Sequence, residues 1–260
     1  MTNKYSFTRF VALMVWLTIF SLPTYADEIQ VAVAANFTAP IQEIAAAFEK
    51  ETGNKVQLIS GATGKLYAQI KNGAPFDILL SADDTTPAKL ESENEAVKGS
   101  HFTYATGKLV LWSATANLVD DKGAILKSDK FKHLAIGNPE AVPYGAAAVK
   151  TLKALGLLET VQAKFVQGEN ITQTYQFVAT GNAELGFVAL SQVITPNKNG
   201  ELKISSGSAW LVTPSLYSPL YQDAVLLNRA KDKKEAKALL GYLKSKTAQE
   251  IIKSYGYDVN

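Results

Sequence analysis

From residue 28 onward the chain alternates strand and helix signatures in two successive runs, and this alternation restricts the fold more than any other feature. The β-branched, alternating stretch 28–34 predicts a strand. Ile41, Ile44, Ala45 and Phe48 recur at helical spacing and predict a helix over 40–50, ended by Gly53. A strand over 55–59, a helix over 65–71 stopped by Asn72-Gly73, and a strand over 76–80 follow. This is the order of a parallel sheet covered by helices. After a strand over 108–112 the pattern restarts. Strands are expected over 134–136, 163–166 and 185–188. Helices are expected over 145–155, with Gly156 just past the end, and over 171–179, closed by Gly181. An apolar strand over 224–227 and helices over 234–243 and 248–255 complete the chain.

Neither run repeats the other in sequence, and no flexible linker separates them. The extended segments 104–112 and 217–228 read as two crossings between lobes. The expected fold is α/β with two lobes, each a mainly parallel sheet flanked by helices, joined by two crossing strands. Lobe 1 would comprise 27–106 and 219–260, and lobe 2 would comprise 107–218. A cleft between two such lobes is a common place for a ligand.

Residues 1–26 read differently. Lys4 and Arg9 precede or open an apolar run over 10–22, Pro23 ends it, and Thr24-Tyr25-Ala26 forms a small-residue cleavage site. This is a secretory signal peptide with cleavage expected after Ala26. The run is too short to span a hydrocarbon core of about 30 Å. The chain has no cysteine, which excludes a lipoprotein anchor, disulfides, thiolate metal sites and a cysteine nucleophile. Its net charge of +2 resides entirely in Lys4 and Arg9. The remainder is formally neutral, has Arg229 as its one arginine, and gives no reason to expect a nucleic-acid partner.

Four segments pass from a strand end into a helix start: Ala34-Ala35-Asn36-Phe37, Ser60-Gly61-Ala62-Thr63-Gly64, Val142-Pro143-Tyr144-Gly145 and Glu169-Asn170-Ile171-Thr172. In a parallel sheet such loops lie at the ligand-binding ends of the strands. Helix starts offer unpaired N–H groups and a partial positive charge. Two from each lobe would form an anion site without a charged side chain. The same residues also suit ordinary capping, Asn36 and Thr63 being good N-caps and Glu169 a cap for the helix at Ile171. Tyr144, in a Gly/Ala-rich context that permits close backbone approach, reads either as a hydroxyl donor or as an aromatic packed at the lobe interface.

Enzyme signatures are missing from the sequence. There is no phosphate-binding P-loop, nucleophile elbow or H-E-x-x-H motif. His101 and His133 read as surface residues, and Asp83-Asp84 as a cap for a following helix.

The stretches VAVAANF (31–37), SGATGKLYAQI (60–70), NGAPFDILLSAD (72–83), GKLVLWS (107–113), IGNPEAVPYGAAA (136–148) and ELGFVALS (184–191) resemble the periplasmic molybdate-binding proteins of ABC importers. The resemblance runs through most of the chain beyond the signal. It implies a two-lobed periplasmic binding-protein fold, no catalysis and no cofactor, a monomer that closes on molybdate or tungstate, and delivery to a membrane permease. It also implies a donor set. Ala35 and Ala62 would give backbone N–H groups, and Asn36 its side chain and backbone. Thr63 would give hydroxyl and backbone, Tyr144 its hydroxyl, and Ile171 its backbone N–H. One branch of the family has serine at the position of Asn36 and a tyrosine where this chain has Ala189. Tyr144 resembles the replacement tyrosine of a second branch.

Physical chemistry favours the same ligand class. Molybdate and tungstate are fully deprotonated near neutral pH and suit an all-donor site. Hydrogen phosphate carries a proton that needs an acceptor. A carboxylate ligand usually recruits an arginine fork.

Overall fold

The computed structural model describes residues 28–197 and 201–259. The expected signal peptide and its cleavage site lie outside them. The strands are β1 (Ile29–Ala34), β2 (Val56–Gly61), β3 (Ile78–Leu80), β4 (Phe102–Gly107), β5 (Leu109–Ser113), β6 (Leu134–Gly137), β7 (Phe165–Gly168), β8 (Leu185–Ala189), β9 (Ser208–Leu211) and β10 (Leu220–Leu226). The α-helices are α1 (Thr38–Thr52), α2 (Thr63–Lys71), α3 (Thr85–Ser92), α4 (Pro143–Ala154), α5 (Leu158–Val161), α6 (Ile171–Ala179), α7 (Lys234–Tyr242) and α8 (Lys246–Ser254). No helix among the described residues is long and apolar enough to cross a membrane.

Two five-stranded sheets form, ordered β2-β1-β3-β10-β4 and β7-β6-β8-β5-β9. Alternate residues of each strand point to opposite faces, so a sheet covered on both sides needs apolar residues at nearly every position. In the first sheet, Val31, Val33, Ile78 and Leu80 pack under α1, α7 and α8 against Ile41, Phe48, Leu239 and Ile252. Their neighbours Ala32, Leu79 and Val225 pack on the other face against Leu66 and Ile70 of α2 and Leu90 of α3. The second sheet repeats the arrangement. Leu109, Leu111, Leu134, Ile136 and Phe187 face α4, while Val110, Trp112, Ala135 and Val188 face α6.

The three-strand cores are parallel: β2 and β3 flank β1, and β7 and β8 flank β6. The crossing strands enter the other way. β10 runs antiparallel to β3 and β4, and β5 antiparallel to β8 and β9. One strand in each sheet, β10 or β5, thus runs against the other four, so the sheets are mixed but mainly parallel, as expected; the opposed strand is the one by which the chain enters that sheet from the other lobe. Lys108 alone separates β4 from β5, so the first crossing is nearly one continuous strand.

Three elements have no periodic signal in the sequence: α3, announced only by the cap at Asp83-Asp84, the single turn α5 and the strand β9. In α3 only Pro87 and Leu90 are buried, too few to mark a helical face. It starts as expected from a carboxylate, since Asp83 Oδ1 accepts the Thr86 N–H at 2.7 Å. The strand β9 is four residues long with only Trp210 buried.

Candidate functional site

Three of the six candidate residues begin helices. Ala35 opens the 3-10 turn Ala35–Phe37 that runs into α1, Thr63 opens α2, and Ile171 opens α6. Tyr144 is the second residue of α4, behind Pro143, whose missing N–H suits the first helical position. Parallel strand-to-helix crossovers bring all four starts to the same side of their sheets. There the structure joins them. Ala35, Asn36, Ala62, Thr63, Tyr144 and Ile171 line one small cavity, with Ala34, Gly61, Ala82, Val142 and Pro143 around it. The first lobe supplies one wall and the second lobe the other. All six are buried, Tyr144 to 1% exposure.

No lysine, arginine, histidine, aspartate or glutamate lines this cavity. Its polarity comes from helix starts and neutral side chains. Thr63 Oγ1 accepts the Ala82 N–H at 3.1 Å, which leaves its own hydrogen to donate. The Tyr144 hydroxyl is buried and makes no hydrogen bond of ordinary geometry, although it lies close enough to the Tyr257 hydroxyl to interact with it. Burial, helped by Tyr257 nearby, pushes its pKa well above the usual tyrosine value, so it stays a proton donor. A buried unpaired hydroxyl is costly, on the order of 1–3 kcal/mol, and its presence marks a group that another partner is meant to satisfy. Small residues make room for it. A side chain at Gly107, on the first crossing strand, would collide with the phenol oxygen.

Ordinary capping does not account for these residues. Ala34, not Asn36, precedes the first helical turn, and it makes no side-chain cap. Thr63 lies inside its helix. At α6 the capping residue is Asn170, whose Oδ1 accepts the Gln173 N–H at 2.9 Å. Glu169, expected to cap that helix, instead forms an ion pair with Lys65 across the cleft. Beside it the Gly64 N–H donates to the Ala141 carbonyl at 3.0 Å, a main-chain bond between lobes.

Asn36 departs from the expected role in one respect. Its Nδ2 donates to Gln222 Oε1 at 2.7 Å and to the Tyr257 hydroxyl at 3.0 Å. Gln222 Nε2 donates to the Leu220 carbonyl at 2.9 Å, which obliges Gln222 to turn its oxygen toward Asn36. Both amide hydrogens of Asn36 are thus engaged, and its backbone N–H is the donor that remains for the cavity. No local pattern marked Gln222 or Tyr257, which lie 186 and 221 positions away from Asn36.

The histidines stand apart from the site: His101 pairs with Glu91 and His133 lies beside Glu184, both on the surface.

Two α/β lobes closed over a neutral, donor-lined cavity, with no nucleophile and base converging in it, define a solute-binding protein. The sequence model for bacterial extracellular solute-binding proteins matches residues 29–258, and the chain belongs to that family. The molybdate-binding protein ModA of Azotobacter vinelandii is 60% identical over 232 residues, which cover 89% of this chain and 90% of that protein. ModA of Rhodobacter capsulatus is 52% identical over 237 residues, covering 91% of this chain and 90% of that one. The solved structure of the periplasmic molybdate-binding protein of A. vinelandii superposes with a TM-score of 0.85, covering 89% of this chain and 99% of that one.

Proposed function

We propose that this chain is a periplasmic molybdate-binding protein of an ABC importer, acting as a monomer and capturing molybdate or tungstate between its lobes without cofactor or catalysis. The observation that carries this reading is one cavity between the lobes, lined by all six candidate residues and, among the described residues, by no charged side chain. The lobes would divide at about residues 106/107 and 218/219, a reading supported by the passage from β4 to β5 at Lys108 and by the start of β10 at Leu220. The exported protein would lose residues 1–26 and present its closed form to a membrane permease.

Capture follows from the donors. The dianion would receive N–H groups from Ala35, Asn36, Ala62, Thr63 and Ile171 and hydroxyls from Thr63 and Tyr144. Each charge-assisted bond contributes roughly 1.5–3 kcal/mol. Donors from both lobes reach the ion together only when the cleft is shut, so the ligand's differential affinity for the closed form drives hinge closure. An all-donor cavity disfavours hydrogen phosphate, whose proton would face donors without a carboxylate to receive it.

Calorimetry of the processed protein with molybdate, tungstate, sulfate and phosphate tests the reading. Heat with molybdate and none with phosphate is expected, and no heat with either molybdate or tungstate would overturn it. Tyr144→Phe should weaken binding by ~1–3 kcal/mol, since one oxyanion oxygen loses its donor. Affinity should also be constant from about pH 6.5 to 9, because no cavity group titrates there. The sign follows from Tyr144: its raised pKa keeps the donor protonated throughout, and binding weakens only at still higher pH. A Kd that tracks histidine ionisation would contradict a neutral cavity.

A further inference from the structure

The hydroxyl of Tyr257 is the point where the anion cavity, the crossing strand and the opposite lobe meet. Tyr257 follows α8 near the C-terminus and is buried. Its Oη donates to the Asn36 carbonyl at 2.8 Å and accepts from Asn36 Nδ2 at 3.0 Å, so it holds residue 36 by main chain and side chain at once. Ser191, just past β8 in the second lobe, donates to the same Asn36 carbonyl at 3.0 Å and lies 3.1 Å from the Tyr257 oxygen. Gln222, on the returning strand β10, takes the other amide hydrogen of Asn36. The ring is fixed as well, packing edge-on against Phe37 with centroids 5.4 Å apart.

Counting hydrogens shows what this arrangement does. Tyr257 has one hydrogen, and the Asn36 carbonyl takes it. It has none left for the anion or for Tyr144. Burial pushes its pKa up to about 12, so it does not lose that hydrogen near neutral pH. The Tyr144 hydroxyl lies beside Tyr257 and has a hydrogen that the ligand can take. The Ser191 bond crosses from one lobe to the other.

We propose that Tyr257 is a positioning residue for oxyanion capture: its hydroxyl sets the main chain at Asn36 beneath the ligand and, with Ser191, clasps the closed lobes on the hinge side of the cavity. The inference rests on the molybdate reading above, which supplies the ligand for its test. Loss of the clasp should destabilise the closed complex far more than the encounter, so the effect belongs in dissociation.

The test is stopped-flow and calorimetric measurement of molybdate binding by Tyr257→Phe, Ser191→Ala and the control Tyr242→Phe. The control loses a phenol hydroxyl that bonds Glu51 at 2.6 Å, remote from the cavity. Tyr257→Phe and Ser191→Ala should each raise the dissociation rate constant about tenfold while the association rate constant changes less than about twofold. The control should match the wild type. A purely structural role for Tyr257 would lower the melting temperature of the ligand-free protein and leave both rate constants as they were, which would overturn the proposal. If Tyr257→Phe does not fold, the Ser191→Ala dissociation rate decides, and an unchanged rate there overturns the clasp. A wild type that binds no molybdate overturns the ligand reading and this proposal together. A wild type that binds, with variants that dissociate no faster, overturns this proposal alone.

Discussion

Gly64→Ala should make the ligand-free protein more stable and its molybdate complex weaker. Gly64 is the second residue of α2, and its N–H donates to the Ala141 carbonyl across the cleft at 3.0 Å. A methyl group there would lie 2.9 Å from Ala141 Cα, 3.2 Å from its Cβ and 3.3 Å from its carbonyl oxygen. The first two contacts are with main chain or a Cβ that cannot rotate away, so the lobes themselves must separate. Ala141 leads directly into Val142, Pro143 and Tyr144, so a displacement at the contact moves the tyrosine off the anion. Hydrogen bonds weaken steeply with lost geometry, and several donors converge on one small ion. The expected loss of affinity is about tenfold to a hundredfold, or roughly 1.4–2.7 kcal/mol. In the open form the same residue is a glycine inside a helix, where alanine is better by roughly 0.5–1 kcal/mol. Melting temperature and affinity should therefore move in opposite directions. Calorimetry beside a thermal melt checks both, and an unchanged Kd would show that the lobes do not meet at Gly64 in the bound state.

That contact also explains how a chain that is formally neutral beyond residue 26 can select a dianion. The charged pair at the rim, Lys65 with Glu169, is exposed, and exposed pairs contribute little, about 0–1 kcal/mol. A positive patch would attract any anion. Helix starts and hydroxyls held at fixed positions instead discriminate by shape and proton content, provided that the cavity shuts tightly. Selectivity is thereby placed in the closeness of the two backbones, where a glycine is needed, and not in side-chain charge.

The parts of this arrangement that could be read from the chain are those with local chemical punctuation. Pro143 before Tyr144, Asn170 before Ile171 and Gly61 before Thr63 announce strand-to-helix turns in a few residues, and the crossover rule then places them together. The helix over 171–179 was legible to the residue, because Asn170 caps it and Gly181, at a φ of 75°, ends its last turn. The link from Asn36 to Gln222 and Tyr257 carried no such signal, because it depends on how the returning strand and the C-terminal tail settle against the first lobe. The role of Glu169 was misjudged for the same reason. A glutamate before a helix looks like a cap, and only the closed cleft brings Lys65 to it. β9, α5 and the body of α3 carry no period because each buries only one or two residues, and only the cap at Asp83-Asp84 announces α3.

The other large effect is expected at Gly145, where fold and site cannot be separated. α4 packs so closely on the end of β6 that a Cβ at Gly145 would overlap the Gly137 carbonyl and lie 2.6 Å from its carbon. Gly137 is itself constrained, since a Cβ there would lie 2.6 Å from Val142 Cγ1. These obstacles are main chain and a β-branched side chain, so neither yields by a simple rotation. Gly145→Ala must lift the first turn of α4, and Tyr144 lies on that turn. Overpacking of this kind costs about 1–3 kcal/mol, and the gain in helix propensity offsets at most about 1 kcal/mol of it. For a domain of this size, a net loss of 1–2 kcal/mol lowers the melting temperature by about 2–8 °C. Binding should fall further than in Tyr144→Phe, because the displaced turn carries the hydroxyl away and also distorts the wall formed by Val142 and Pro143. Tyr144→Phe, in contrast, should leave the ligand-free melting temperature nearly unchanged, since it removes a hydroxyl with no hydrogen bond of ordinary geometry and keeps the ring that packs in the core. Comparing the two variants by thermal melt and calorimetry separates the donor from its support. Equal affinities would mean that the position of α4 contributes nothing beyond the phenol hydroxyl, and that the close packing of Gly145 on Gly137 serves the fold alone.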